Sequence, residues 1–150
     1  MNNAITVPIQ KLNPNAVLPT QGSAAAAGWD LYAVLLTDNI EIAPHETVKV
    51  ETGLAMAIPE GWVGLIYARS GLATKRGLAP ANCVGVIDSD YRGPIIVALH
   101  NASNLTQTIT NGERIAQIVF AMVPTTIWQE VEELDSTSRG EGGFGSSGQY

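Results

Sequence analysis

Arg69 stands directly before Ser70 and Gly71, where a short helical turn is expected to begin. Backbone N–H groups at such a start, joined by a guanidinium, make a good anion site. Ala68-Arg69-Ser70-Gly71 also fits an ordinary helix cap beside a surface arginine. Asp88 and Asp90 flank Ser89, between apolar Val86-Ile87 and Tyr91-Arg92-Gly93. If the strand continues through them, the two carboxylates share one face. That arrangement suits acid–base work or a metal pair, while an Asp-rich turn explains the same residues. Asp30 interrupts the apolar stretch around Trp29 and Leu31, and Gln117 interrupts Ile115–Ile118. Each is either a buried polar group with a partner or the outward half of a normal alternation. His45 and His100 lie far apart and near no Ser or Cys motif, so both read as structural or surface residues.

The C-terminal segment needs separate treatment. Gly140 to Gly145 formally matches G-x-G-x-x-G, but only five residues follow it. The dinucleotide fingerprint needs a strand before it and a helix after it, so that reading fails. No G-x-x-x-x-G-K-[ST] occurs either. A Gly/Ser terminus without a fixed conformation is one remaining reading. The other is a phosphate-binding lid: successive glycine N–H groups form an anion nest, Arg139 adds charge, and Ser146 and Ser147 add hydroxyls. Phe144 is an unusual residue for a plain linker.

The elements that position these groups are short strands. Thr6–Ile9, Trp29–Leu35, Thr47–Val50, Leu54–Ile58, Val63–Tyr67, Pro94–His100 and Ile115–Val123 are rich in β-branched and apolar residues and are bounded by Gly and Pro. One helical turn is expected at Ser70–Arg76, with Ser70 as N-cap and Gly77 ending it. Residues 82–97 read as a β-hairpin with its polar residues at the tip. The pattern predicts an all-β fold of the sandwich or jelly-roll barrel kind. A globular body is expected over residues 1–130. Residues 131–150 form an acidic linker, with Glu132, Glu133 and Asp135, and a flexible Gly-rich arm.

Composition narrows the classes. A chain of 150 residues can bury about 70% of its unfolded surface as one domain. Only 15% of residues are charged, below the typical ~25%, which suggests that part of the surface is covered by sister subunits. The net charge of −6 argues against a sequence-independent nucleic-acid binder. It does not exclude a phosphorylated small ligand held by a few arginines. A single cysteine, Cys83, excludes an internal disulfide and any multi-cysteine metal site. No apolar run reaches the ~18 residues of a membrane span, and no signal peptide is evident. A soluble, cytoplasmic protein is expected.

The order of the segments is more specific than any one of them. Gly28-Trp29-Asp30, Arg69-Ser70-Gly71, Gly85-Val86-Ile87-Asp88-Ser89-Asp90-Tyr91-Arg92-Gly93, Gly112-Glu113-Arg114-Ile115-Ala116-Gln117 and Arg139-Gly140-x-Gly142-Gly143-Phe144-Gly145-Ser146-Ser147-Gly148 follow one another. This closely resembles the five ordered motifs of the homotrimeric dUTPase family. One departure is Ser147, where the family tail usually has Thr; the hydroxyl is kept.

The resemblance implies a distorted jelly-roll trimer that hydrolyses dUTP to dUMP and pyrophosphate, keeping uracil out of DNA and supplying dUMP for thymidylate synthesis. It implies active sites shared between subunits and a Mg²⁺ held mainly by phosphate and water. By that analogy Asp88 activates the attacking water. Asn82, Val86 and Ile87 read uracil, Ile96 contacts substrate, and Tyr91 packs on the deoxyribose. Arg69, Ser70, Gly71 and Gln117 hold phosphates. Arg139, Phe144, Gly145, Ser146 and Ser147 close over the ligand, and Asp30 acts through water near the metal. A dCTP deaminase, or a bifunctional dCTP deaminase–dUTPase, is the alternative enzyme. A non-catalytic jelly-roll binding module is the alternative from another class.

Overall fold

The computed structural model describes residues 4–143. Twelve short strands and one helix follow one another: β1 (Ile9–Lys11), β2 (Thr20–Gln21), β3 (Trp29–Tyr32), β4 (Asn39–Ile42), β5 (Thr47–Glu51), β6 (Leu54–Met56), β7 (Trp62–Tyr67), α1 (Ser70–Arg76), β8 (Leu78–Pro80), β9 (Gly85–Ile87), β10 (Ile96–Asn101), β11 (Gln107–Thr110) and β12 (Arg114–Met122). All pairings are antiparallel. The largest sheet has the order β2-β3-β12-β7-β9, and a second runs β5-β10-β8. Two-stranded sheets β1-β6 and β11-β4 complete the architecture. This is the all-β jelly-roll arrangement that the strand pattern predicts, with its one short helix.

Alternation builds the core. Along β10, Val97, Leu99 and Asn101 turn inward while their neighbours face out or lie half-buried. Side chains from all four sheets meet in one cluster that includes Leu31, Ile42, Val50, Met56, Leu99, Ile109 and Ile118. Two polar side chains are fully buried among them, and both are satisfied. Thr52 donates its hydroxyl to the Ile95 carbonyl at 2.7 Å, and Asn101 Nδ2 donates to Ile42 at 2.9 Å and Leu105 at 2.8 Å.

The helix has the expected bounds, and Gly77 ends it in the left-handed conformation at φ 68°. Its cap differs from expectation. Arg69 occupies the N-cap in an extended conformation without a side-chain cap bond, and Ser70 is already helical. Arg76, in the last turn, anchors the helix to the barrel. It donates to Gln107 Oε1, to Glu113 Oε1 and to the Thr108 carbonyl.

The expected hairpin over residues 82–97 does not form. β9 pairs with β7, whereas β10 pairs with β5 and β8. The intervening residues therefore cross between two sheets. The strand stops at Ile87, so Asp88 and Asp90 are not placed on one face by strand alternation. Here the turn chemistry of Asp88-Ser89-Asp90 and the missing N–H of Pro94 outweigh the apolar pattern on either side.

Candidate active site

Two groups of side chains, set apart on the barrel, account for most of the predicted site residues. The first gathers around β9. A cleft of about 170 Å³ is lined by Val86, Ile87, Asp88, Tyr91, Pro94 and Ile96. An adjoining recess of about 120 Å³ shares Val86, Ile87 and Ile96 and adds Asn82 and Gly85. β9 is the outermost strand of its sheet, so one row of its backbone N–H and C=O groups is unused by a neighbouring strand. Val86 is 59% exposed on this edge.

Glycines let this cleft take its shape. A Cβ on Gly85 would stand 3.2 Å from Ile66 Cβ, so the glycine lets β9 lie close against β7, with the Asn82 amide in ordinary contact distance beside it. A Cβ on Gly93 would overlap the Tyr91 ring. Tyr91 lies back across that glycine and donates its hydroxyl to the Pro94 carbonyl at 3.0 Å. Arg92 donates to the Ser89 carbonyl at 2.7 Å and the Tyr91 carbonyl at 2.9 Å, bracing the crossing loop. Asp88 also lines a larger, open groove of about 1210 Å³ with Glu60, Trp62, Asp90 and Pro124. Asp88 thus borders both the small cleft and that groove.

The second group lies where β3, β12 and the end of β7 meet α1. Gln117 faces Asp30 on one side and Tyr67 on the other. Its Nε2 donates to the Ala68 carbonyl at 2.9 Å, and its Oε1 rests where a Cβ on Gly28 would be. Asp30, whose side chain is only 13% exposed, receives Arg69 Nε on Oδ1 at 2.8 Å and Arg114 on Oδ2 at 3.1 Å. Asp30 is therefore the part-buried, partnered carboxylate of the two sequence readings. Ser70 and Gly71 follow as exposed residues of the first helical turn. A Cβ on Gly71 would meet nothing within 4 Å, so this stretch of backbone is open to a ligand.

None of Arg69, Ser70, Gly71 or Gln117 lines the β9 cleft. Register explains why. β9 residues 85, 86 and 87 face β7 residues 66, 65 and 64, so Asp88 lies level with about residue 63 and Arg69 six positions further along. At about 3.3 Å per residue the backbones of Asp88 and Arg69 are roughly 20 Å apart. Arg139 is in neither group: it is exposed, and its Nε donates to the Gly142 carbonyl at 2.8 Å. Phe144, Gly145, Ser146 and Ser147 lie outside the described residues.

Arg114 lies in the fourth of the ordered motifs, but no local pattern marks it as a partner of Asp30. It stands 84 residues from Asp30, and only the β3–β12 register brings them together. Among the described residues no group of three or more His, Cys, Asp or Glu side chains could hold a metal ion, and no helix is long and apolar enough to cross a membrane.

The comparisons with known proteins identify the family and the fold. The family model for dUTPase matches residues 14–148. The deoxyuridine 5'-triphosphate nucleotidohydrolase of Wolbachia pipientis subsp. Culex pipiens is 46% identical over 148 residues, covering 96% of each chain. Among solved structures, a mutant dUTPase of Staphylococcus bacteriophage 80alpha with dUpNHpp superposes with a TM-score of 0.86 at 29% identity, covering 97% of this chain and 99% of that one. A mutant dUTPase from phage phi11 of S. aureus, described with a coordinated structural Mg(II) ion, gives a TM-score of 0.78 at 26% identity, covering 88% of this chain and 100% of that one.

Proposed function

The chain belongs to the dUTPase family, and from that premise we propose an active site assembled from three copies of it. The enzyme hydrolyses dUTP to dUMP and pyrophosphate. The observation that carries our assignment of residues is the meeting of Asn82, Val86, Ile87, Asp88, Tyr91 and Ile96 around one edge strand.

A free strand edge offers N–H and C=O groups in alternation, as a complementary base does. With the Asn82 amide it matches uracil's O4 acceptor and N3–H donor. Cytosine presents the opposite pattern and would leave buried groups unpaired, at about 1–3 kcal/mol each. Tyr91, held on Gly93 and Pro94, fills the space beside the sugar's 2′ carbon. Asp88, at the mouth of this cleft, takes a proton from the water that attacks the α-phosphorus. The new bond joins that oxygen to phosphorus, the bridge to the β-phosphate breaks, and pyrophosphate leaves.

Phosphates go to the second group: Arg69, the exposed Ser70 and Gly71, and Gln117. About 20 Å separates that group from Asp88 in one chain, too far for both to act on one triphosphate. The separation supports sites that take Asp88 from one subunit and Arg69 from another. The segment after β12 supports the same reading. Ile127, Trp128 and Leu134 are 87%, 92% and 82% exposed, as expected of side chains that another subunit covers. In this reading residues 1–130 form the catalytic body. Residues 131–150 are an arm that brings Arg139, Phe144, Gly145, Ser146 and Ser147 over the ligand.

The donor set fits a Mg²⁺ that arrives with the triphosphate and is coordinated by phosphate and water, not a protein cage. Both Asp30 oxygens are already engaged by arginines, so Asp30 reaches such an ion only through water. When bound, the ion offsets phosphate charge that a chain of net −6 cannot neutralise alone. A cytoplasmic location belongs to the same reading, because the substrate is a soluble precursor of DNA.

Pyrophosphate release from dUTP in the presence of Mg²⁺ tests the assignment, with Asp88→Asn as control. The variant should bind dUTP while kcat falls about 10²–10⁴-fold. Turnover within a few-fold of the parent would remove Asp88 as the base and leave Asp90 as the candidate.

A further inference from the structure

We propose that Arg114 is a positioning residue for the phosphates: it holds one oxygen of Asp30, so that Asp30's other oxygen fixes Arg69 by Nε and leaves Arg69's outer nitrogens for substrate. The proposal rests on the assignment of Arg69 to phosphate binding made above.

Three observations carry it. Asp30 splits its two oxygens between two guanidiniums, Oδ1 to Arg69 Nε at 2.8 Å and Oδ2 to Arg114 at 3.1 Å. A guanidinium has five donors in a rigid fork, and Asp30 uses the one nearest the Arg69 backbone. Arg69's NH1 makes only a long contact, 3.4 Å, to the Arg114 carbonyl. Its outermost nitrogen has no partner among the described residues and can meet an anion. A carboxylate with only one arginine prefers a bidentate fork. Freed from Arg114, Asp30 could turn and occupy two Arg69 nitrogens, including the one that should face phosphate.

Arg114 is suited to that task because its backbone is held from both sides. It opens β12 opposite Tyr32, with a register shift before Ala116. Its neighbour Glu113 accepts from Arg76 through Oε1 and from the Thr110 N–H through Oε2 at 3.0 Å. Arg76 also closes the last turn of α1, so both ends of the phosphate-binding helix are tied to the same β11–β12 turn. Asp30 and Arg69 are largely enclosed, with side chains 13% and 25% exposed, whereas Arg114 is 48% exposed. The inner pair is thus set by an outer residue.

A double-mutant cycle with a phosphate-free probe tests this. Arg114→Ala should raise KM for dUTP about tenfold or more, with kcat within a few-fold. The inhibition constant of 2′-deoxyuridine, which has no phosphate, should stay within about twofold of the parent's. Arg114→Lys should recover most of the loss. Arg69→Ala/Arg114→Ala should be no worse than Arg69→Ala alone, because Arg114 acts through Arg69. The same cycle is run with Arg114→Gln, which keeps a polar side chain at this half-exposed position should the alanine variant fold poorly. Multiplying KM losses in the cycle, an unchanged KM, or a deoxyuridine constant that rises in step would overturn the role of Arg114. A parent protein that releases no pyrophosphate from dUTP would overturn the underlying reading as well, so the two failures are told apart.

Discussion

Mixing two crippled enzymes should restore activity that neither has. Asp88→Asn removes the base, and Arg69→Ala removes a phosphate ligand. In one chain these positions lie roughly 20 Å apart along β7 and β9. If each site draws Asp88 from one subunit and Arg69 from another, random trimers from an equal mixture contain repaired sites. A site is intact when its Asp88 comes from the Arg69→Ala chain and its Arg69 from the Asp88→Asn chain. Each condition holds half the time, so about a quarter of sites recover. The parents should be far below that level. Asp88→Asn loses about 10²–10⁴-fold, and loss of a charge-assisted phosphate bond worth about 1.5–3 kcal/mol lowers kcat/KM about 10–100-fold. The two proteins are unfolded and refolded together, mixing is verified by native mass spectrometry, and pyrophosphate release is measured at dUTP well below KM. Activity near a quarter of the wild-type value supports shared sites. Verified mixed trimers with activity no higher than the parents' mean would refute the reasoning, because every site built within one chain keeps one defect.

Two further outcomes follow from the cleft and from the sheet. Tyr91→Ala should empty the space beside the sugar's 2′ carbon and raise kcat/KM for UTP relative to dUTP; an unchanged ratio would assign sugar selection to another residue. Gly28→Ala should push Gln117 Oε1 aside and break the 2.9 Å bond to Ala68, at a cost of about 0.5–1.5 kcal/mol in stability. Its larger effect should be a several-fold rise in KM for dUTP, read beside thermal unfolding, and an unaltered KM would show that the Gln117 amide is not used for phosphate.

The parts of the fold legible in the sequence are those whose burial leaves a local trace. β5, β7, β10 and β12 have runs of Val, Ile and Leu long enough to show which face turns inward, and their observed bounds lie within two residues of expectation. The helix is legible because Gly77 punctuates it. β2, β4, β8 and β11 escape because they are two to four residues long and carry Asn, Glu, Thr, Gln or Pro. Their strand character comes from partners elsewhere in the chain and not from their own composition. β1 starts at Ile9, not Thr6, since Pro8 has no N–H for a ladder.

The candidate site divides along the same line. Candidate residues marked by their own backbone surroundings, such as Arg69-Ser70-Gly71 at the start of a helix, carry a readable signal. Candidate residues whose setting depends on a distant partner do not. Asp30 in its apolar stretch is compatible with an outward-facing side chain or an enclosed one, and nothing within ten residues decides between them. The deciding groups are arginines 39 and 84 positions away. They arrive because Asp30 pairs with Gln117 in register, which places Arg114 at the end of the same ladder. The false hairpin over residues 82–97 has the same origin. Two apolar runs around a turn predict each other as partners, yet β9 finds β7 and β10 finds β5. That choice is what leaves β9 at the edge of its sheet, where its spare backbone groups can face a base. A true hairpin would have paired that edge with β10 and left no row of donors and acceptors to read uracil.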